Sequence, residues 1–418
     1  MNRLSASDYC IKVTTVAVTR YGGYLYKMYS ETLQPADALR ILPALSDTRN
    51  PTVWVYRYAD AVRGWTLSVA THAAPGSGQL SLGGFRIAPI ERTASPGFTT
   101  DHEAIGLAIG MEEKVHWSRV IRVGGPLAQR DFSRIVGGKC VLAPTADARV
   151  GQPHDFALLD FAIACFQDIE QQAGIHLTTG QDLGHGLMSD GTTQSLAYLN
   201  GRFAGSVVAD TSIPTGEGNH QILKGMLRGL GIDIATATVG LVGCGNIGMH
   251  VLTRLREHGT TILALESRAE RRTEIEAMGI KTWAPDDKLA FLALPMDAVV
   301  VNAAGGTLDA PAIEVITHNT RLRILCGSEN LVMPDANGAV TLQQAGKVYA
   351  PTELGGMMGY LTAVEEYLSK LEKVPFDVKS LLVAAERLDT AGFEATRSVA
   401  QRDFKMSFED AVTALYAK

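Results

Sequence analysis

Thr238-Val-Gly-Leu-Val-Gly-Cys-Gly-Asn-Ile-Gly248 is the stretch of this 418-residue chain that determines its fold class. A short apolar strand leads directly into three glycines with the spacing G-x-G-x-x-G, and residues with helical periodicity follow. In such a unit the first glycine permits a tight turn, the second lets a pyrophosphate approach the backbone, and the third lets helix and strand pack closely. The phosphates would lie at the helix N-terminus, where unpaired amides favour negative charge. We therefore expect a dinucleotide to bind at Gly243, Gly245, Asn246, Ile247 and Gly248.

Glu266 ends the next predicted strand, at the distance expected for the acid that binds the adenosine ribose. A carboxylate there accepts hydrogen bonds from the ribose hydroxyls and repels a 2′-phosphate, so we predict NAD as the cofactor. Ser267 and Arg268 follow directly and could bind a 2′-phosphate, which keeps NADP as an alternative. In an alternative interpretation, the glycines only allow close packing, and Glu266 is a solvent-exposed residue at the end of a strand. Two residues at the end of a later strand are also assigned to the cofactor: Asn302 and Ala303.

Strands and helices alternate from about residue 215 to residue 350, which indicates parallel βαβ units. The length suits two domains of about 150–250 residues each. We predict a two-domain α/β fold with an N-terminal substrate-binding and oligomerisation domain over 1–210. A Rossmann-type dinucleotide-binding domain then spans 211–356, and C-terminal helices over 357–418 pack back across the domains.

The composition excludes several classes of protein. Lysine and arginine number 38 against 44 acidic residues, and a net charge of −6 argues against a non-specific nucleic-acid binder. The sequence contains neither an apolar stretch long enough to span a membrane nor the apolar core of a signal peptide at its start. Five scattered cysteines without C-x-x-C pairing suggest buried, reduced thiols and no metal site. We therefore expect a cytoplasmic protein that binds a small molecule.

Three polar residues of the first half lie where catalytic side chains are often found. Lys114 lies at the edge of the apolar stripe of a helix that a capping box, Thr100-Asp-His-Glu103, opens. Lys139 ends a predicted turn, Val136-Gly-Gly-Lys139, and Asp182 lies in a glycine-rich loop after a short strand. Each residue also has a purely structural interpretation. Lys114 could extend its ammonium from an apolar surface into solvent, Lys139 could be exposed in a turn, and Asp182 could cap a helix.

Six short motifs resemble, in the same order, those of the glutamate/leucine/phenylalanine/valine dehydrogenase family. They are Leu82-Gly-Gly-Phe-Arg86, Gly110-Met-Glu-Glu-Lys114, Gly137-Gly-Lys139, Thr179-Gly-Gln-Asp-Leu-Gly184, Gly327-Ser-Glu-Asn330 and Tyr349-Ala-Pro351. Each is weak alone, but together they span most of the chain.

The resemblance implies oxidative deamination, in which a hydride leaves the amino acid Cα for the nicotinamide and water attacks the resulting imine. Lys139 would activate that water, and Asp182 would accept a proton from the α-ammonium. Lys114 would pair with the α-carboxylate as a point charge. Gly83 and Gly84 would let the backbone approach the substrate closely. The resemblance also places Asn330 near the nicotinamide and implies a homo-oligomer.

The substrate follows from a departure at Leu82, where glutamate enzymes of the family carry a lysine for the side-chain carboxylate. Leucine cannot pair with that charge, and burying an unpaired carboxylate is costly. We therefore predict an apolar or aromatic L-amino acid, with Met357 and Met358 as adaptable walls of its pocket.

Two other departures suggest a specialised enzyme. The segment 115–138 is longer than the resemblance leads us to expect, and we interpret it as a surface hairpin or an oligomer contact. His185 stands where a threonine is expected. It could serve as an additional acid or base, or it could simply be a polar residue of the loop.

The leading hypothesis is reversible NAD-dependent deamination of an apolar or aromatic L-amino acid to its 2-oxo acid and ammonia. One alternative is biosynthetic hydride transfer on an unusual amino acid or imine. Another is a dinucleotide-binding regulatory protein without catalysis.

Overall fold

A computed structural model describes residues 15–180, 183–335 and 337–417, with the backbone alone for 15–20. The described residues pack as two compact units, one formed by 15–112 with 134–208, the other by 113–133 with 209–417. The change of unit at residue 208 lies close to the predicted boundary at 210. Segment 113–133, which the prediction includes in the first domain, groups with the second unit.

The first half of the chain, to residue 208, mixes strands and helices. Its elements are β1 (Thr15–Tyr21), β2 (Tyr24–Leu33), α1 (Pro35–Ile41), β3 (Trp54–Asp60), β4 (Trp65–Thr71), β5 (Leu80–Leu82), β6 (Phe85–Ile87), α2 (Ile90–Thr93), α3 (Thr100–Ile121), α4 (Pro126–Asp131), β7 (Ile135–Ala143), α5 (Asp155–Ala173), β8 (His176–Thr178) and α6 (Ser195–Asn200).

One eight-stranded sheet organises the first unit in the order β1-β2-β3-β4-β7-β5-β8, with β6 paired to β7. The pairs from β1 to β4, and β4 with β7, are antiparallel, whereas β5 and β6 run parallel to β7. Neighbouring residues of β7 belong to different cores, because side chains alternate between the two faces of a strand. Leu142 packs in a core with Phe161 of α5, and Val141 packs in a second core with Ile105 of α3.

The second half alternates strongly between strands and helices. Its elements are α7 (Ser212–Gly229), β9 (Thr238–Val242), α8 (Asn246–His258), β10 (Thr261–Leu265), α9 (Ala269–Glu276), β11 (Lys281–Trp283), α10 (Lys288–Leu292), β12 (Ala298–Val301), α11 (Ala310–His318), β13 (Ile324–Gly327), α12 (Gly338–Gln344), β14 (Val348–Tyr349), α13 (Thr352–Glu372), α14 (Val378–Gln401) and α15 (Phe408–Tyr416).

A six-stranded parallel sheet organises the second unit in the order β11-β10-β9-β12-β13-β14. This is the doubly wound order 3-2-1-4-5-6, in which ligands bind at the carboxyl ends of the strands where the order reverses, here between β9 and β12. The strands are mostly apolar because helices cover both faces of such a sheet. The predicted α/β fold with a Rossmann-type domain and C-terminal helices is confirmed.

Two local predictions in the first half were wrong. Lys139 lies inside β7 rather than at the end of a turn, because β4 pairs with this segment on one side and β5 and β6 pair with it on the other. The helix α3 is capped by Thr99, whose Oγ1 accepts a hydrogen bond from the His102 amide at 3.1 Å. Glu103 is instead ion-paired with Arg86 and Arg92.

Segment 115–138 contains no strand hairpin. It continues α3, forms the short helix α4 and then enters β7. The Glu365 carboxylate of α13 accepts hydrogen bonds from the Ala128 amide at 2.7 Å and the Leu127 amide at 3.3 Å, near the N-terminus of α4. An acid at this end also complements the helix dipole, so α4 is fixed to α13.

Four cysteines fall in the described residues, and all are buried, as predicted: Cys140, Cys165, Cys244 and Cys326. Cys10 lies outside the described residues. Burial raises the pKa of the Cys140, Cys244 and Cys326 thiols to about 12. No helix in the described part of the chain is both long and apolar enough to cross a membrane.

Candidate functional site

The glycine turn after β9 has the geometry that its sequence predicts. Gly243 has φ of +83°, and a Cβ there would lie 2.7 Å from the Asn302 carbonyl oxygen. A Cβ on Gly248 would lie 2.1 Å from the Gly243 carbonyl oxygen, so this glycine allows α8 to pack against the turn. Gly245 precedes the first residue of α8, and nothing lies within 4 Å of a Cβ placed there. The open side of the turn therefore faces the helix N-terminus, where a pyrophosphate fits.

Glu266 lies beside this turn and is only 3% exposed. Its Oε2 accepts a hydrogen bond from the Cys244 amide at 2.7 Å, and its Oε1 accepts one from the Arg268 amide at 2.9 Å. Burial alone would raise the pKa of Glu266, but these backbone hydrogen bonds and the Arg268 guanidinium hold it below its ordinary value. Glu266 is thus an ionised acid that joins the glycine turn to the loop after β10.

Asn302, at the carboxyl end of β12, carries an unused hydrogen-bond donor. Its Oδ1 accepts hydrogen bonds from the Ser328 amide at 3.0 Å and hydroxyl at 2.7 Å. Its Nδ2 is buried and has no hydrogen-bond acceptor among the described residues. A buried donor normally has a partner. A dinucleotide lying across the carboxyl ends of β9 and β12 would fit this edge. The neighbouring Ala303 amide donates to Glu329 Oε2 at 3.0 Å, so it already has a protein partner.

Lys114 and Asn330 are brought together in the second unit. Lys114 is 7% exposed, and its Nζ donates to Asn330 Oδ1 at 2.9 Å. A Cβ on Gly356 of α13 would lie 3.3 Å from the same Nζ, so the missing side chain leaves room for the ammonium. A buried ammonium beside an amide oxygen is suited to binding a carboxylate.

Glu353 is a residue of this cluster that the motifs did not indicate. It lies in the first turn of α13, one turn before Gly356. Burial raises the pKa of Glu353, whereas the charge of Lys114 acts in the opposite direction. The signal available in the sequence was an acid placed directly after Tyr349-Ala-Pro-Thr352, at the start of a helix.

Lys139, in the first unit, is 5% exposed and lies opposite Ala70 of β4. Lys139 and Val141 are two residues apart in β7, so the Lys139 side chain is on the sheet face that packs against α3. The backbone at Gly83 lies very close to β7, and only glycine permits this, since a Cβ on Gly83 would lie 1.8 Å from the Gly138 carbonyl oxygen. The Gly84 carbonyl oxygen accepts a hydrogen bond from the Cys140 amide at 3.2 Å.

Glu112 of α3 fixes the start of the strand that carries Lys139. Its Oε2 accepts a hydrogen bond from the Gly137 amide at 2.6 Å, and its Oε1 accepts one from Asn50 Nδ2 at 3.2 Å. A Cβ on Gly137 would lie 2.3 Å from the Glu112 amide nitrogen, so only glycine permits this approach. Sequence reasoning missed Glu112 because its partners are distant in the chain.

The remaining predicted site residues lie in different surroundings. Asp182 lies outside the described residues. Leu82 is 1% exposed and pairs with Gly137 in the parallel ladder of β5 and β7. Met357 and Met358 of α13 are fully buried. The His185 Nε2 lies 3.2 Å from the Phe85 carbonyl oxygen.

No protein-family model matches the chain. Over 290 residues it is 22% identical to the valine dehydrogenase of Streptomyces coelicolor, an alignment covering 68% of this chain and 72% of that protein. Its fold resembles that of L-tryptophan dehydrogenase from Nostoc punctiforme, with a TM-score of 0.58, 17% identity and coverage of 85% and 91% of the two chains. Hetero-hexameric glutamate dehydrogenase from Thermus thermophilus gives a TM-score of 0.60 at 16% identity, covering 97% of this chain and 91% of that one.

These likenesses confirm the resemblance that the motifs indicated. The chain is similar in sequence to one amino acid dehydrogenase and shares the fold of two others over most of its length.

Proposed function

We propose that the chain catalyses the reversible NAD-dependent deamination of an apolar or aromatic L-amino acid to its 2-oxo acid and ammonia. The observation that carries the proposal is the buried Lys114 ammonium, bonded to Asn330 within the same unit as the dinucleotide turn. A carboxylate anchor in a dinucleotide-binding unit suits an enzyme that oxidises a carboxylic acid at Cα.

The cofactor proposal rests on the glycine turn and on Glu266. When bound, a nicotinamide dinucleotide would accept the hydride from the substrate Cα. Gly243, Gly245 and Gly248 would hold its pyrophosphate, and the ionised Glu266 would accept hydrogen bonds from the adenosine ribose. The Asn302 Nδ2 donor would find its acceptor on the cofactor. Glu266 favours NAD over NADP because its negative charge would repel a 2′-phosphate.

The chain's side chains would bind the substrate and move its protons. Lys114 would hold the α-carboxylate, and Asp182 would accept a proton from the α-ammonium. Lys139 would take a proton from the water that attacks the imine carbon and would later return it to the departing amine. Because β7 carries Lys139 and is bonded to α3 through Glu112, the base would be fixed before the substrate arrives.

The proposed side-chain preference rests on Leu82, which is buried and offers no charge to a substrate carboxylate. The valine and tryptophan dehydrogenases among the similar proteins support an apolar or aromatic preference. We also propose a homo-oligomer, as the name of the hetero-hexameric neighbour suggests an assembly of related chains. Light scattering on the purified protein would measure its mass.

The test follows the absorbance of NADH in the presence of ammonia and a panel of aliphatic, aromatic and acidic 2-oxo acids, with NADPH in parallel. We expect ammonia-dependent consumption of NADH with apolar or aromatic acids. Consumption without ammonia would favour reduction of a preformed imine instead. NADH binding without any consumption would favour a regulatory dinucleotide-binding protein.

The substitution Lys139→Ala tests whether Lys139 is the general base. Since Lys139 would activate the attacking water, the variant should lose at least about 100-fold in kcat, the lower range of general-base contributions. Its affinity for NADH, measured by fluorescence, should stay within about twofold, below 0.5 kcal/mol. Retained turnover in this variant would remove Lys139 from the mechanism.

A further inference from the structure

We propose that Glu353 binds the α-ammonium of the amino acid whose carboxylate binds Lys114. The inference rests on the proposed function and assigns the second charged group of the substrate to a residue of the same unit. Lys114 and Glu353 would together recognise a zwitterion.

The geometry of α13 places Glu353 on the side of the helix that meets Lys114. Residues three apart on a helix lie on one face. Gly356 is three residues after Glu353, and a Cβ on Gly356 would lie 3.3 Å from the Lys114 Nζ and 3.1 Å from its Cε. The face of α13 that includes Glu353 therefore packs against the Lys114 ammonium.

The Glu353 carboxylate is free to bind a ligand. Among the described residues, no other residue forms a hydrogen bond or ion pair with this carboxylate. Two other buried acids of the second unit do have partners, since Glu329 accepts hydrogen bonds from the Ala303 and Thr307 amides, and Glu365 accepts them from α4. Glu353 is half-buried, and a partly desolvated acid without a protein partner is stabilised by a ligand that supplies the missing donor.

The charges near Glu353 match an α-amino acid. An α-amino acid carries a carboxylate and an ammonium on one carbon, and Lys114 and Glu353 offer a cation and an acid on adjoining elements. The 2-oxo acid product carries the carboxylate alone. It would keep the contact with Lys114, lose the contact with Glu353, and so bind more weakly than the amino acid.

Ligand binding tests the proposal more directly than turnover does. Calorimetry on the full chain in the presence of NAD would compare L-valine and L-phenylalanine with their deamino analogues, 3-methylbutanoate and 3-phenylpropanoate. Glu353→Gln should weaken binding of the amino acids at least about tenfold, as expected for a lost charge-assisted hydrogen bond. Binding of the deamino analogues should stay within about twofold.

Three variants serve as controls. Glu372→Gln makes the same change at the far end of α13, where Glu372 pairs with Arg130, and should alter neither ligand class. Glu353→Asp keeps the carboxylate and should restore part of the preference for the amino acid. Lys114→Met should weaken both ligand classes, since both carry the carboxylate.

Two results with Glu353→Gln would overturn the inference: equal weakening of both ligand classes, or unchanged affinity for the amino acids. Selective loss of amino acid binding in a protein that shows no turnover would support the role of Glu353 while refuting the proposed dehydrogenase activity. If the unaltered chain binds the deamino analogues but not the amino acids, the inference is also wrong.

Discussion

Replacing Glu112 by glutamine would test whether α3 positions the strand that carries Lys139. The carboxylate accepts two hydrogen bonds, one from the Gly137 amide at 2.6 Å and one from Asn50 at 3.2 Å. A glutamine has a single side-chain oxygen, so one of these donors would lose its acceptor. The Gly137 amide is two residues before Lys139, and any shift of this amide would be passed to the lysine along the strand.

The size of the effect follows from these two contacts. A hydrogen bond to a charged group contributes about 1.5–3 kcal/mol, and a buried donor left unpaired costs about 1–3 kcal/mol. Because glutamine retains one acceptor, we expect the free energy of unfolding to fall by about 2 kcal/mol. A displacement of about 1 Å at a reacting group can cost about 100-fold in rate, so kcat should fall by about 10-fold to 100-fold.

The assay combines urea unfolding, steady-state kinetics and NADH titration on the same protein. The exposed Glu91 provides a control, since Glu91→Gln makes the same change elsewhere in the first unit. We expect NADH affinity to stay unchanged in both variants, because the glycine turn belongs to the other unit. The reasoning would be refuted if Glu112→Gln left kcat and stability at the level of the Glu91→Gln control.

Three further predictions concern the second unit. Gly243→Ala should weaken NADH binding at least about tenfold in a fluorescence titration, because residue 243 has φ of +83° and its Cβ would lie 2.7 Å from the Asn302 carbonyl oxygen. A Cβ at residue 245 would meet no protein atom within 4 Å, so Gly245→Ala should leave urea unfolding unchanged. It should weaken NADH binding, because the pyrophosphate approaches the backbone at this glycine. A stability loss equal to that of Gly243→Ala would contradict this. Burial alone would raise the pKa of Glu217, but hydrogen bonds, including one from His250, hold it well below its ordinary value of 4.5. A depressed carboxyl pKa contributes stability above about pH 4.5 that is lost as the pH falls. Glu217→Gln should therefore unfold at lower urea concentration at pH 7, with a smaller difference from the unaltered chain at pH 3; an equal difference at both pH values would contradict it.

The second unit could be predicted from the sequence because its determinants are local. All strands of this unit except β11 are short, mostly apolar runs, and the glycine spacing after β9 occurs within a single strand–turn–helix unit. The parallel sheet and the turn at Gly243 follow from these patterns. Lys114 was predicted only to lie at the edge of the apolar stripe of α3, and the structure shows it to be buried.

The first unit was harder to predict because its decisive contacts join distant segments. Two glycines before Lys139 indicate a turn by local rules, yet the pairing of β7 with three other strands overrides that preference. Glu103 has the spacing of a capping acid, but two arginines outcompete the helix amide for its carboxylate. Glu112 and Glu353 were missed for the same reason, since their surroundings exist only after folding.

The distribution of the buried cysteines provides each unit with its own reporter of opening. Cys140 and Cys165 lie in the first unit, and Cys244 and Cys326 lie in the second. Only the thiolate reacts with alkylating reagents, so thiols that are buried and whose pKa is raised react only when the surrounding structure opens. Pulse alkylation followed by peptide mass spectrometry would therefore time the opening of each unit separately in one sample. Cys244, inside the glycine turn, would further show whether a bound dinucleotide slows local exposure of that turn.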